Sequence, residues 1–111
     1  MDLSEGLEKL AQRRERALQM GGEARLRRQR EQGKLNVRER VALLMDGDSF
    51  QEYGQLTSHV SAAAQQTHEV TPADGVVSGF GKIGGRFAAV VAEDFTVKGG
   101  SHGVVNARKK L

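Results

Sequence analysis

The chain of 111 residues predicts an α/β fold in which a helical arm precedes a small set of strands. Three observations carry this reading. Charged helix formers and a thin leucine stripe dominate the first 35 residues. The sequence Asn36-Val37-Arg38-Glu39 has the Ncap-x-x-Glu spacing of a capping box, in which the cap side chain accepts from a first-turn N–H and the glutamate reaches back. Two apolar runs, Val76 to Ile83 and Arg86 to Ala92, flank the pair Gly84-Gly85, the residue type that a two-residue hairpin turn with positive φ at both positions requires. The length allows one small domain at most. It divides into a basic helical arm over 1–35 and the start of a larger domain over 36–111.

The arm predicts two helices. From Asp2 to about Met20 the apolar residues fall at Leu3, Leu7, Leu10 and then Ala17 or Leu18, and Glu5 with Lys9 forms an i, i+4 pair of the favourable orientation. Gly21-Gly22 breaks or bends that helix. Glu23 to Gln32 resumes with helix formers around one large apolar residue, Leu26, so this second helix must dock along another surface or fray. Gly33 suits the position after its last turn. The third helix runs over 37–45, with Val37, Val41 and Leu44 on one face and Asp46-Gly47 at its end. Phe50 to Leu56 reads as a short strand, and Thr57 to Ala73 as a long polar connection in which Pro72 biases Thr71 to an extended conformation. Gly79 and Gly81 thin the next strand and predict a bulge or a close backbone approach. The run Phe87 to Ala92 lacks clean alternation, as expected of a strand covered on both faces. Its cover must come from outside these elements.

Charge is unevenly placed. Residues 1–40 carry eleven Lys/Arg against seven Asp/Glu, and residues 41–111 six against seven. The arm therefore suits an acidic partner or water, while its interspersed acids speak against nucleic acid. Without cysteine there is no disulfide framework and no thiolate zinc site. No window approaches a membrane span and the N-terminus shows no signal-like apolar stretch, so the chain reads as soluble and cytoplasmic.

Four ordered segments carry a family resemblance: Gly33-Lys34-Leu35-Asn36-Val37-Arg38-Glu39-Arg40, Leu43 through Glu52, Asp74 through Gly81, and Asp94-Phe95-Thr96-Val97-Lys98-Gly99-Gly100-Ser101. Together they resemble the carboxyltransferase (β) subunits of biotin-dependent acyl-CoA carboxylases, the propionyl-CoA and methylcrotonyl-CoA carboxylase group, with the related decarboxylases and transcarboxylases. The resemblance implies an incomplete crotonase-like (ββα-spiral) domain behind the helical arm. It also implies a parent that moves a carboxyl group from carboxybiotin to an acyl-CoA. Biotin would be carried by a partner subunit or domain, a biotin carboxylase/biotin carrier subunit would be a partner, and the full-length protein would be a homo-oligomer. A eukaryotic parent would place it in the mitochondrial matrix. The oxyanion-forming "SGGAR" segment of the family is not among these residues, so the chain alone is expected to be inactive. A small non-catalytic interaction module with a basic helical arm is the alternative.

The candidate substrate site is Lys98, Gly99, Gly100 and Ser101, where a strand, a glycine pair and an expected helix start follow one another. Such a turn brings backbone N–H groups close to a phosphate, here the phosphates of CoA, with Lys98 adding charge. The same residues also read as a plain strand-to-helix turn capped by Ser101. Asp94 reads as an acceptor for backbone N–H groups of the turn. Arg38 and Arg40 are either partners for phosphates or a neighbouring subunit, or solvated helix residues. His59, His68 and His102 lack metal-ligand spacing, and no metal or catalytic residue is assigned.

Overall fold

The computed structural model describes residues 2–57, 71–97, 99, 109 and 110. Helix α1 spans Leu3–Leu18, with the Asp2 carboxylate accepting from the Glu5 N–H at 2.9 Å. Only Ala17 of its sixteen residues is buried, because the leucine stripe is too thin to need more. Helix α2 spans Glu23–Glu31 and ends in a Schellman motif. Gly33, at φ 75°, donates to the Arg30 carbonyl and Lys34 to that of Gln29, which only a residue free of a Cβ accommodates without strain. Helix α3 spans Val37–Leu44 and carries the full capping box: Glu39 N–H donates to Asn36 Oδ1 at 2.9 Å, and Asn36 N–H to Glu39 Oε1 at 3.3 Å.

Three antiparallel strands follow in the order β1 (Gln51–Tyr53), β2 (Val76–Ile83), β3 (Arg86–Glu93). The β2–β3 hairpin pairs from Ile83 with Arg86 to Val76 with Glu93, about Gly84 and Gly85 at φ 58° and 78°. Strand β1 is shorter than the expected Phe50 to Leu56, because Gly54 turns the chain at φ 71° and its carbonyl is taken by Thr57. The long connection ends earlier than expected, since Pro72–Gly75 form a 3-10 turn leading into β2.

The glycines of β2 mark close approaches, as their positions predict. A Cβ on Gly79 would stand 2.2 Å from the Gln51 carbonyl oxygen, and one on Gly81 would stand 2.3 Å from Met45 Cε. One sheet face packs on the helices: Val77 and Val90 join Met20, Val37, Val41 and Met45 in the core, with Leu26, Phe50 and Ala92 against it. The other face is open over Phe80, Phe87 and Val91, Phe87 being 77% exposed. Strand β3 is therefore covered on one side only within the described residues. Tyr53, Phe80 and Phe87 form an aromatic row across the open face, with ring centroids 5.6 and 5.9 Å apart.

Candidate functional site

The chain leaves β3 through a tight turn. Asp94 N–H donates to the Gly75 carbonyl at 2.8 Å, and the Asp94 carboxylate accepts from both the N–H and the hydroxyl of Thr96, at 2.9 and 2.6 Å. Asp94 is buried, and its work is that of a turn acceptor, as its type predicts. Thr96 then accepts, on the same hydroxyl oxygen, the N–H of Gly21 at 2.9 Å. Gly21 lies in the elbow between α1 and α2. A Cβ there would meet the Thr96 carbonyl oxygen at 1.8 Å, so the elbow seats directly on this turn. This seat resolves the polarity of α2: the helix docks on the exit of β3 and tucks Leu26 against the core.

Docking creates a cleft of about 670 Å³. Arg25 and Arg28 line it from α2, Lys34 and Arg40 from the segment around α3, and Phe95 and Gly99 from the turn after β3. Four cations thus line one cleft, and among the described residues no Asp or Glu lines it. Arg25 spends one N–H on the Thr96 carbonyl at 3.2 Å. Gln29 also faces the cleft, and its Oε1 is buried without a hydrogen-bond partner. Phe95 is 69% exposed, a flat apolar wall beside the charges. An open cleft lined by cations, with an aromatic wall, suits a phosphorylated ligand that carries a planar group.

Of the residues singled out in the sequence, Gly99 lines this cleft at φ 58°, with open space where a Cβ would stand. Lys98, Gly100 and Ser101 lie outside the described residues, as do His59, His68 and His102. Arg40 belongs to the cleft; Arg38 does not. Arg38 is turned inward and grips Glu52 of β1 with two N–H groups, at 2.7 and 3.1 Å, with both side chains largely shielded from water. The solvated alternative is therefore wrong for Arg38. Arg25, Arg28 and Lys34 escaped the sequence reading, and the signal that points to them is the basic excess of the arm. Among the described residues no three His, Asp or Glu side chains group as metal ligands, and no helix is long and apolar enough to cross a membrane.

A second cluster ties the far side of the sheet. Lys109 Nζ is buried and donates to three carbonyls, those of Gly54, Ala73 and Val76, at 3.0, 2.8 and 2.6 Å. Burial pushes its pKa below the ordinary lysine value, with Glu52 and Asp74 opposing the shift and Arg38 adding to it. Tyr53 donates its hydroxyl to the Lys109 carbonyl at 3.1 Å, and Lys110 pairs with Glu93 at the end of β3.

Comparison with known proteins gives a consistent picture. The family model described as "Carboxyl transferase domain" matches residues 28–111. The carboxyltransferase subunit of propionyl-CoA carboxylase from Haloferax mediterranei is 38% identical over 109 residues, covering 98% of this chain and 21% of that protein. The methylmalonyl-CoA decarboxylase subunit alpha of Veillonella parvula is 45% identical over 89 residues, covering 80% and 18%. Among solved structures, transcarboxylase 12S, a hexamer assembly with methylmalonyl-coenzyme A and methylmalonic acid bound, matches with a TM-score of 0.89 at 39% identity, covering 99% of this chain and 22% of that one. The chain spans about a fifth of the length of the curated relatives it matches.

Proposed function

The chain belongs to the carboxyl transferase domain family of the acyl-CoA carboxylases and their relatives, with a crotonase-like fold, and from that premise we propose that its basic cleft holds the phosphates of coenzyme A. The single observation that carries this reading is the convergence of Arg25, Arg28, Lys34 and Arg40 with Gly99 around one cleft. Gly99 belongs to the glycine pair for which the family resemblance implies an approach to CoA. Arg forks and a Lys point charge suit the phosphates, Phe95 suits the face of the adenine, and Gln29 Oε1 is an acceptor in want of a donor such as an exocyclic amine. Lys98, Gly100 and Ser101 complete the proposed contact by sequence position.

In the whole protein the reaction is carboxyl transfer to the α-carbon of an acyl-CoA, with carboxybiotin on a partner subunit or domain supplying the carboxyl group. This chain binds and orients the acyl-CoA in that scheme. The reaction also needs preorganised N–H donors at the thioester enolate, and the segment that the family resemblance marks for this, "SGGAR", is not among these residues. The 111-residue chain by itself is thus proposed to be inactive, and to join a homo-oligomer with a biotin carboxylase/biotin carrier partner when part of a longer protein.

Titration of the chain with coenzyme A and with its analogue lacking the 3′-phosphate tests the reading. Coenzyme A is expected to bind more tightly, with an affinity that falls as salt rises. An Arg28→Glu, Arg40→Glu variant is expected to lose most of the binding. Equal affinity for the two ligands in this double variant and the wild type would sink the cleft as the phosphate site. Turnover of any acyl-CoA by the chain alone, above a protein-free control, would sink its inactivity.

A further inference from the structure

Two of the walls of the basic cleft are far apart in sequence, and the Thr96 hydroxyl joins them. One wall is α2, carried by the Gly21 elbow; the other is the turn after β3. Thr96 Oγ1 donates to Asp94 Oδ1 at 2.6 Å and accepts from Gly21 N–H at 2.9 Å. Because Asp94 takes the hydroxyl proton, the oxygen lone pairs are left facing the elbow. A short hydrogen bond to a carboxylate holds that orientation more firmly than a neutral acceptor would. Arg25 adds a second strut from α2 to the Thr96 carbonyl at 3.2 Å. Asp94 is itself fixed to the sheet through its N–H on the Gly75 carbonyl. The chain of contacts therefore runs from the sheet to Asp94, from Asp94 to Thr96, and from Thr96 to the arm.

We infer that Thr96 is a positioning residue for the cleft: its hydroxyl, oriented by Asp94, sets the separation between the arginines of α2 and the wall of Phe95 and Gly99. The inference rests on the cleft being the coenzyme A site, and it adds a role for a lining residue whose hydroxyl is spent on Asp94 and Gly21 rather than on the ligand. Loss of the hydroxyl leaves the fold of the sheet and the charges of the cleft in place. It frees the elbow at Gly21, orphans that N–H, and lets α2 drift from the opposite wall.

The test titrates coenzyme A into the wild-type chain and into the Thr96→Val and Thr96→Ser variants, with melting temperature and Gly21 amide exchange measured on each. Valine keeps the branched shape and removes the hydroxyl; serine keeps the hydroxyl. Thr96→Val is expected to bind coenzyme A about tenfold more weakly and to exchange the Gly21 amide faster, the loss of one well-made hydrogen bond. Thr96→Ser is expected to stay within about twofold of the wild type in affinity. Equal affinity of wild type and Thr96→Val overturns the positioning role and leaves the coenzyme A site standing. If the wild-type chain does not bind coenzyme A, the site reading falls. Gly21 exchange then decides alone: faster exchange in Thr96→Val but not in Thr96→Ser upholds the wall-fixing role, and unchanged exchange overturns it. Should Thr96→Val fail to melt cooperatively, Gly21→Ala carries the same expectation of weakened binding with Thr96 intact, and normal binding by it overturns the role.

Discussion

Asp46 shows how one side chain holds together two elements distant in sequence. Its carboxylate accepts from the N–H groups of Gly84 and Gly85, at 2.9 and 2.8 Å, and so anchors the hairpin turn to the end of α3. Those two N–H groups, Gly85 before Gly84, hold its pKa below the ordinary 3.8. A depressed folded-state pKa means the contribution is fully present above the unfolded value and is lost as pH falls through the folded one. The Gly84 and Gly85 amide resonances should therefore titrate together with a midpoint below 3.8, followed by NMR; a midpoint at or above that value would show that the bonds are not made in solution. Glycines of β2 give a second comparison. Gly79 faces backbone at 2.2 Å and an aromatic ring, whereas Gly81 meets first the end of the Met45 side chain and backbone, the Ser49 carbonyl oxygen, only at 3.1 Å. Overpacking then predicts a loss of about 3 kcal/mol for Gly79→Ala and about 1 kcal/mol for Gly81→Ala, read from denaturant midpoints. The close approaches were legible from two glycines placed in a strand. The partner of Arg38 was not, because an arginine on a helix looks the same in sequence whether it meets water or Glu52.

Helix α3 depends on its first turn, since eight residues form a marginal helix without help. Asn36→Ala removes the acceptor for Glu39 N–H and is expected to cost about 1 kcal/mol, measured by chemical denaturation. An unchanged midpoint would mean that packing of Val37 and Val41 alone holds the helix. Such elements were legible because their signals are local: the capping box, the Gly33 stop and the Gly84-Gly85 turn each lie within a few residues of what they shape. The end of β1 was missed for a different reason. Gly54 ends the strand in company with Lys109, and no local pattern links positions 55 residues apart. The cleft was half legible on the same grounds. Its glycine stood out, but the arginines of α2 reach it through contacts distant in sequence, such as that of Gly21 with Thr96 across 75 residues.

At the scale of the molecule, the open sheet face dominates behaviour in solution. Tyr53, Phe80, Phe87 and Val91 present a contiguous apolar surface of the kind that soluble monomers rarely leave bare. The isolated chain is expected to associate as its concentration rises, seen by sedimentation velocity, and Phe87→Lys should shift it towards monomer. A wild-type chain that stays monomeric at the highest concentrations tested would contradict this. The seat of Gly21 on Thr96 has a further consequence, for the order of events at the ribosome. The arm is made first, yet its dock is made 75 residues later. At about 5–20 residues per second, a nascent chain carries α1 and α2 undocked for several seconds. The β2–β3 hairpin closes on microseconds once it emerges, so the sheet waits for nothing and the arm waits for the sheet. A helix as polar as α2, with no buried residue of its own, tolerates that interval in water without offering an apolar surface to aggregation.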